Sequence, residues 1–188
     1  MLPTAAPPSA LRPLHPNGIA QRRLARQSRN AIIDWVDGNE CRWCLTLNPN
    51  RSLPLQSEVE VLRHAFRDAD VALLGHRYRQ KDARRRLLGF IFAEHVASNT
   101  HFHLAIRPGL DTAPADEQAR ITSLVDAWLA RAPSGTYELN QATDVRGWAR
   151  YITKESYSPE HQFWTSSMWW PPGQRKHVLD RSWRDAFS

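Results

Sequence analysis

The stretch LLGFIFAEHVASNTHFHLAIR, residues 87–107, constrains the fold more than any other part of the chain. Two apolar runs rich in β-formers flank a short polar loop, Ala97–Thr100, which is the pattern of a β-hairpin. A hairpin commits its neighbours to an antiparallel sheet, and the period of two assigns every residue to one face. With a four-residue loop, Val96 pairs with His101, Glu94 with His103 and Phe92 with Ala105. Glu94, His101 and His103 then share a face. The opposite face carries Ile91, Ala93, Phe102, Leu104 and Ile106, a core set marred only by His95 near the loop.

The segments around the hairpin supply the rest of an α+β chain. CRWCLTLN ends at Asn48-Pro49-Asn50, a turn signal, and reads as a first strand. SEVEVLRHAFRDADVALLG places Val59, Leu62, Phe66, Ala69 and Leu73 at helical spacing, with Ser57 and Glu60 as a capping box and Gly75 as the stop. ADEQARITSLVDAWLARA sets Ile121, Leu124, Val125, Trp128 and Leu129 on one helical face, with acids early and Arg131 late. TYELNQAT reads as a fourth strand, and DVRGWARYITKES as a short helix capped by Asp144. The order β-α-β-β-α-β plus a helix predicts a ferredoxin-like split βαβ antiparallel sheet, with an appended C-terminal helix that carries Tyr151.

One domain suits 188 residues. Residues 1–30 hold five of the 13 prolines and the run QRRLARQSRN, and read as a flexible basic arm, functional or merely solvated. Residues 31–160 form the expected domain, and 161–188 a tryptophan-rich extension that packs on it or stacks bases. Lys and Arg exceed Asp and Glu by 25 to 19, a net charge of +6, which favours a polyanionic partner. No run approaches a membrane span, and the N-terminus lacks the apolar core of a signal peptide, so a cytoplasmic protein is expected. Cys41 and Cys44 form a CxxC; on a strand, residues three apart face opposite ways, which favours packing thiols over a metal or redox pair.

Two imidazoles and a carboxylate converging from adjacent strands suit a divalent ion such as Mn²⁺ or Mg²⁺. Taken alone, His-x-His is what alternation produces cheaply on a solvated strand; Glu94 on the neighbouring strand is what gives it meaning. On the last helix, Tyr151 and Lys154 lie three apart on one face, while Val145, Ala149 and Ile152 form an anchoring face. A tyrosine hydroxyl beside a metal-polarised phosphodiester can serve as nucleophile, with the lysine adding a cation. The same pair also reads as a surface tyrosine next to a solvated lysine. Arg84, Arg85 and Arg86, at the entrance to the hairpin, and Arg150 beside the tyrosine are candidate phosphate contacts, or plain solvated charges.

WCLTLN, HFH (101–103) and YITK (151–154), in that order and separated by a helix and a strand, resemble the motifs of HUH endonucleases, specifically the initiators of rolling-circle replication. The resemblance spans about residues 41–157. It implies that His101 and His103 bind the metal with Glu94 as third ligand. It further implies that Tyr151 attacks single-stranded DNA, or a hairpin at a replication origin, to leave a 5′-phosphotyrosine and a free 3′-OH, with Lys154 assisting. Tyr157, six residues on, departs from the two-tyrosine pattern, so a single-tyrosine enzyme is expected. With no GxxxxGK[ST] loop, unwinding and synthesis would fall to a host helicase and polymerase, in a prokaryotic cell and from a plasmid or phage gene. A monomer or weak dimer is expected. Two further readings stand beside this one: a single-tyrosine transposase of the same chemistry, and a non-enzymatic ferredoxin-like nucleic-acid-binding module whose sheet stacks bases.

Overall fold

The computed structural model describes residues 16–96, 99–154 and 162–170, with side chains from residue 23 onward. The chain is α+β: a five-stranded antiparallel sheet lies between two pairs of helices. Helix α1 spans Pro16–Gly38, followed by strand β1 (Trp43–Asn48) and helix α2 (Leu55–Leu74). Two short 3₁₀ turns lead into the hairpin β2 (Leu88–Glu94) and β3 (His101–Arg107). Helix α3 (Pro114–Leu129), strand β4 (Thr136–Gln141), helix α4 (Val145–Ile152) and strand β5 (Gln162–Thr165) complete it. The strand order β4-β1-β3-β2-β5 is compatible with a ferredoxin-like arrangement, to which α1 and β5 are additions.

The alternation read from the hairpin decides the first core. Leu45 and Leu47 of β1, Ile91 and Ala93 of β2, and Phe102, Leu104 and Ile106 of β3 all face α2 and α3. These helices bring Val59, Leu62, Phe66 and Ala69, and Ile121, Leu124, Val125 and Trp128, the residues that helical spacing had marked. Deep polar ties fasten the layer: the Trp43 indole donates to Glu117 on α3 at 3.0 Å, and Arg51 holds the buried Glu58 at 2.8 Å. The capping box is not used. Helix α2 starts three residues earlier, at Leu55 after Pro54, so Ser57 lies inside it and makes no side-chain cap. At the other end Gly75 takes φ +78°, a conformation open to glycine and costly to a side chain.

The opposite face is the larger difference from expectation. Ile33 and Val36 of α1, with Ala149 and Ile152 of α4, cover Leu88, Phe90, Phe92 and Ala105 in a second core. An arm that is flexible throughout 1–30 therefore does not describe the chain from Pro16 on; residues 1–15 lie outside the described residues. Phe90, Phe92 and Ala105 need a cover, and AIIDWV (31–36) supplies the apolar stripe that provides it. Arg146 fastens α4 to α1 through Asp34 at 2.6 Å and Asp37 at 3.1 Å, and Arg29 donates to the Arg150 carbonyl at 2.8 Å.

Three smaller readings change. The loop between β2 and β3 spans six residues, not four: Glu94 pairs with His101 and Phe92 with His103. A slip of two preserves parity, so the faces survive. His95 leaves the strand at φ +53° and becomes exposed, which removes the polar exception from the core face. Cys41 precedes β1 behind a turn at Glu40, so strand alternation does not reach it. Cys41 packs in the second core and Cys44 points to the same side of the sheet, both as free buried thiols. Burial raises the pKa of Cys41 and pushes that of Cys44 up to about 12, so both stay protonated. In the C-terminal extension, Trp164 and Trp169 pack against the first core and Trp170 is buried in the second; Trp183 lies outside the described residues.

Candidate functional site

Strand parity and one short helix build the site. The second core covers only part of its sheet face; towards β1 and the ends of β2 and β3 that face turns polar, with Cys44, Thr46, Glu94, His101 and His103. Glu94 and His103 are buried, and His103 Nε2 lies 3.3 Å from Glu94 Oε2. The other imidazole nitrogen, Nδ1, is 3.1 Å from the Thr46 hydroxyl across the β1–β3 pair, which fixes the ring orientation. His101 is the direct cross-strand partner of Glu94 and is half-buried, its ring edge-on to His95 at 5.5 Å.

Helix α4 carries the aromatic half. Asp144 caps it by accepting from the Gly147 amide at 2.7 Å, and its apolar face, Ala149 and Ile152, sits in the second core. The reverse face presents Trp148 and Tyr151, stacked at 5.3 Å, and both rings stand edge-on to His103, at 5.9 and 5.5 Å. Tyr151 is 46% exposed. The helix ends at Ile152, and the following turn brings Lys154 Nζ to 3.1 Å from Glu94 Oε2 and 4.0 Å above the Tyr151 ring. Glu94, His103, Tyr151 and Lys154 thus form one cluster, with His101 beside it in register.

Burial, more than any neighbour, lowers the His103 pKa, outweighing the attraction of Glu94, so the ring is neutral near pH 7. Burial works against the Lys154 ammonium as well, but bonding to Glu94 and Tyr151 wins and raises its pKa. Glu94 Oε1 is buried without a hydrogen-bond partner. A neutral imidazole, a second imidazole beside it and a carboxylate oxygen with spare acceptor capacity fit a divalent cation by donor type and by face. Among the described residues no three of His, Cys, Asp and Glu are already gathered as a metal cage, and Lys154 shares the carboxylate instead.

The four arginines fare differently. Arg150 is exposed beside Tyr151 on α4. Arg84 and Arg85 are exposed but paired, with Asp82 at 2.5 Å and Asp111 at 3.3 Å. They precede β2 and Glu94 ends it, so seven residues of strand, roughly 20 Å, separate them from the cluster. Arg86 is corrected outright: it is 1% exposed, donates to the Tyr78 carbonyl at 2.9 Å and lies over the rings of Tyr78 and Trp170. A sealed guanidinium cannot reach a phosphate. Sequence reasoning missed Trp148, although its place three residues before Tyr151 is a helical same-face signal. It also missed the bond of Thr46 to His103, which depends on the β1–β3 register.

Tyr157 lies outside the described residues, and among those described no helix is long and apolar enough to cross a membrane. Compared with known proteins, the chain matches no family model, no curated protein and no solved structure.

Proposed function

We propose that this chain is a metal-dependent, site-specific single-stranded DNA nicking and joining endonuclease of the HUH type, an initiator of rolling-circle replication. One observation carries the reading: an exposed tyrosine stands 5.5 Å, ring to ring, from a buried histidine that contacts Glu94, with Lys154 spanning the carboxylate and the phenol ring. The order β4-β1-β3-β2, with β1 and β2 parallel about β3, supports the finer reading of the sheet as a split βαβ with the tyrosine helix appended.

His101, His103 and Glu94 would hold Mn²⁺ or Mg²⁺, which when bound supplies positive charge at the scissile phosphate. Thr46 holds the His103 ring by its Nδ1 and leaves Nε2 directed at Glu94. Tyr151 supplies the nucleophile: a P–O bond forms to the phenol oxygen as the bond to the 3′-oxygen breaks. The proton lost by the phenol is matched by one gained at the 3′-hydroxyl. The phosphodiester energy is kept in the phosphotyrosine, so rejoining needs no ATP. Lys154 places a cation against the Tyr151 ring, where negative charge on the phosphate would develop.

The self-satisfied contact of Lys154 with Glu94 also suits a second reading, a base-stacking module in which these side chains only stabilise the fold. The two separate on one experiment. Incubated with a single-stranded oligonucleotide pool and Mn²⁺, the protein should form an adduct that survives denaturation. That adduct should vanish in Tyr151→Phe and fall at least about a hundredfold in His103→Ala. An adduct that persists undiminished in Tyr151→Phe removes the nucleophile, and metal-independent binding with no adduct favours the module.

A further inference from the structure

An open groove of about 250 Å³ lies beside the phenol, lined by Cys44, Thr46, Glu138, Asn140, Trp148 and Tyr151. A second hollow of about 430 Å³ shares Cys44, Trp148 and Tyr151 and continues towards the start of α4. The register explains the lining: Thr46 pairs with Glu138 and Cys44 with Asn140, so all four side chains rise from one face of β1 and β4. The wall is the Trp148–Tyr151 stack.

No lysine or arginine lines either hollow, and Glu138 and Asp144 do, so a phosphate is repelled there. A flat, uncharged group is not. Resting on the proposed nuclease reading, we infer that this groove takes one nucleobase next to the scissile phosphate, with Asn140 and Glu138 as the specificity-determining pair. Asn140 already donates one amide hydrogen to Glu138 at 2.9 Å, which fixes the amide plane. What remains to a ligand is the amide carbonyl, one amide N–H and carboxylate lone pairs. That set matches an edge that pairs an exocyclic amine with a ring nitrogen, as in adenine or cytosine. Thymine has no exocyclic amine: its one donor, the ring N3–H, sits between two carbonyl oxygens that the Glu138 carboxylate repels. Trp148 and Tyr151 supply the aromatic side against which such a base can lie.

The test uses the full chain, Mn²⁺ and a random single-stranded DNA pool, and sequences the DNA captured as adduct. Wild type should favour adenine or cytosine at one position within two nucleotides of the linked phosphate. Asn140→Leu and Glu138→Gln should each lower that preference about tenfold at that position alone. An unchanged position profile in both variants overturns the pocket and leaves the nuclease reading intact. If wild type forms no adduct, the nuclease reading fails, and tryptophan fluorescence then tests the pocket by itself. Quenching by oligo-dA or oligo-dC above oligo-dT, lost in Trp148→Phe and in Asn140→Leu, retains the pocket; equal or absent quenching ends it. Both lining residues are exposed on the edge strand, and Asn140→Asp, which keeps the shape and removes the donor, guards against a folding artefact.

Discussion

Asp70 shows how one residue can set a pH dependence. It is buried on α2, and burial pushes its carboxyl up to about 7, despite the bond it accepts from the Leu87 amide and the nearby Arg86. The folded state therefore holds this proton more tightly than the unfolded chain does, where an aspartate titrates near about 3.9. Its contribution to stability is complete below that value and is lost as pH rises through about 7. In urea unfolding, wild type should lose on the order of a few kcal/mol from this group between about pH 5 and pH 8. Asp70→Asn should flatten that slope while keeping an acceptor for Leu87. An equal slope in both proteins would locate the pH dependence elsewhere. This carboxylate was not legible in the sequence as anything but a polar residue in an apolar helix; its burial comes from the packing of α2 against the segment before β2.

At the scale of elements, α4 matters most and holds itself least. It has eight residues, too few to be stable alone, so its position comes from α1. Two kinds of contact make that join, and they differ in magnitude. Ile33 and Val36 are buried, and Ile33→Ala should cost about 2–4 kcal/mol in unfolding free energy. Arg146 bridges Asp34 and Asp37 with all three side chains well exposed and screened by water, so Arg146→Ala should cost far less than Ile33→Ala. If the ion pairs prove the stronger term, the second core is not what positions the tyrosine helix. The hairpin gives the opposite lesson. Its loop is longer than the sequence suggests, yet Glu94, His101 and His103 stay on one face, because only parity, not exact pairing, decides the face.

For the whole molecule, charge is distributed less usefully than the net +6 suggests. Arg86 is buried, and Arg84 and Arg85 are neutralised at the far end of β2, whereas Arg150 is exposed beside the phenol. Measured at low salt, Arg150→Ala should weaken single-stranded DNA binding several-fold and reduce the salt slope by about one, the value for one lost phosphate contact. Arg84→Ala and Arg85→Ala should leave both nearly unchanged. A larger loss from the Arg84–Arg85 pair would mean that the strand of DNA runs along the whole of β2. The sheet's two cores also explain why the site is asymmetric: one face is filled by the first core across its central strands, and the other is half core and half polar.

The sequence by itself determined the elements from β1 to α4, the antiparallel hairpin and the face on which Glu94, His101 and His103 stand, because helical and strand periodicities are local and survive small errors in loop length. It also put Tyr151 on the side of a helix away from its plain apolar side, whereas Lys154, expected on the same helix, reaches the cluster from the turn after it. Only the tertiary structure decided that α1 covers half of the polar face, that Thr46 meets His103, that Arg86 is sealed away, and that the groove beside Tyr151 is lined from β4. Each of these depends on which distant segments pack together, and such packing is set by the summed burial of surfaces far apart in the chain, which no local pattern records.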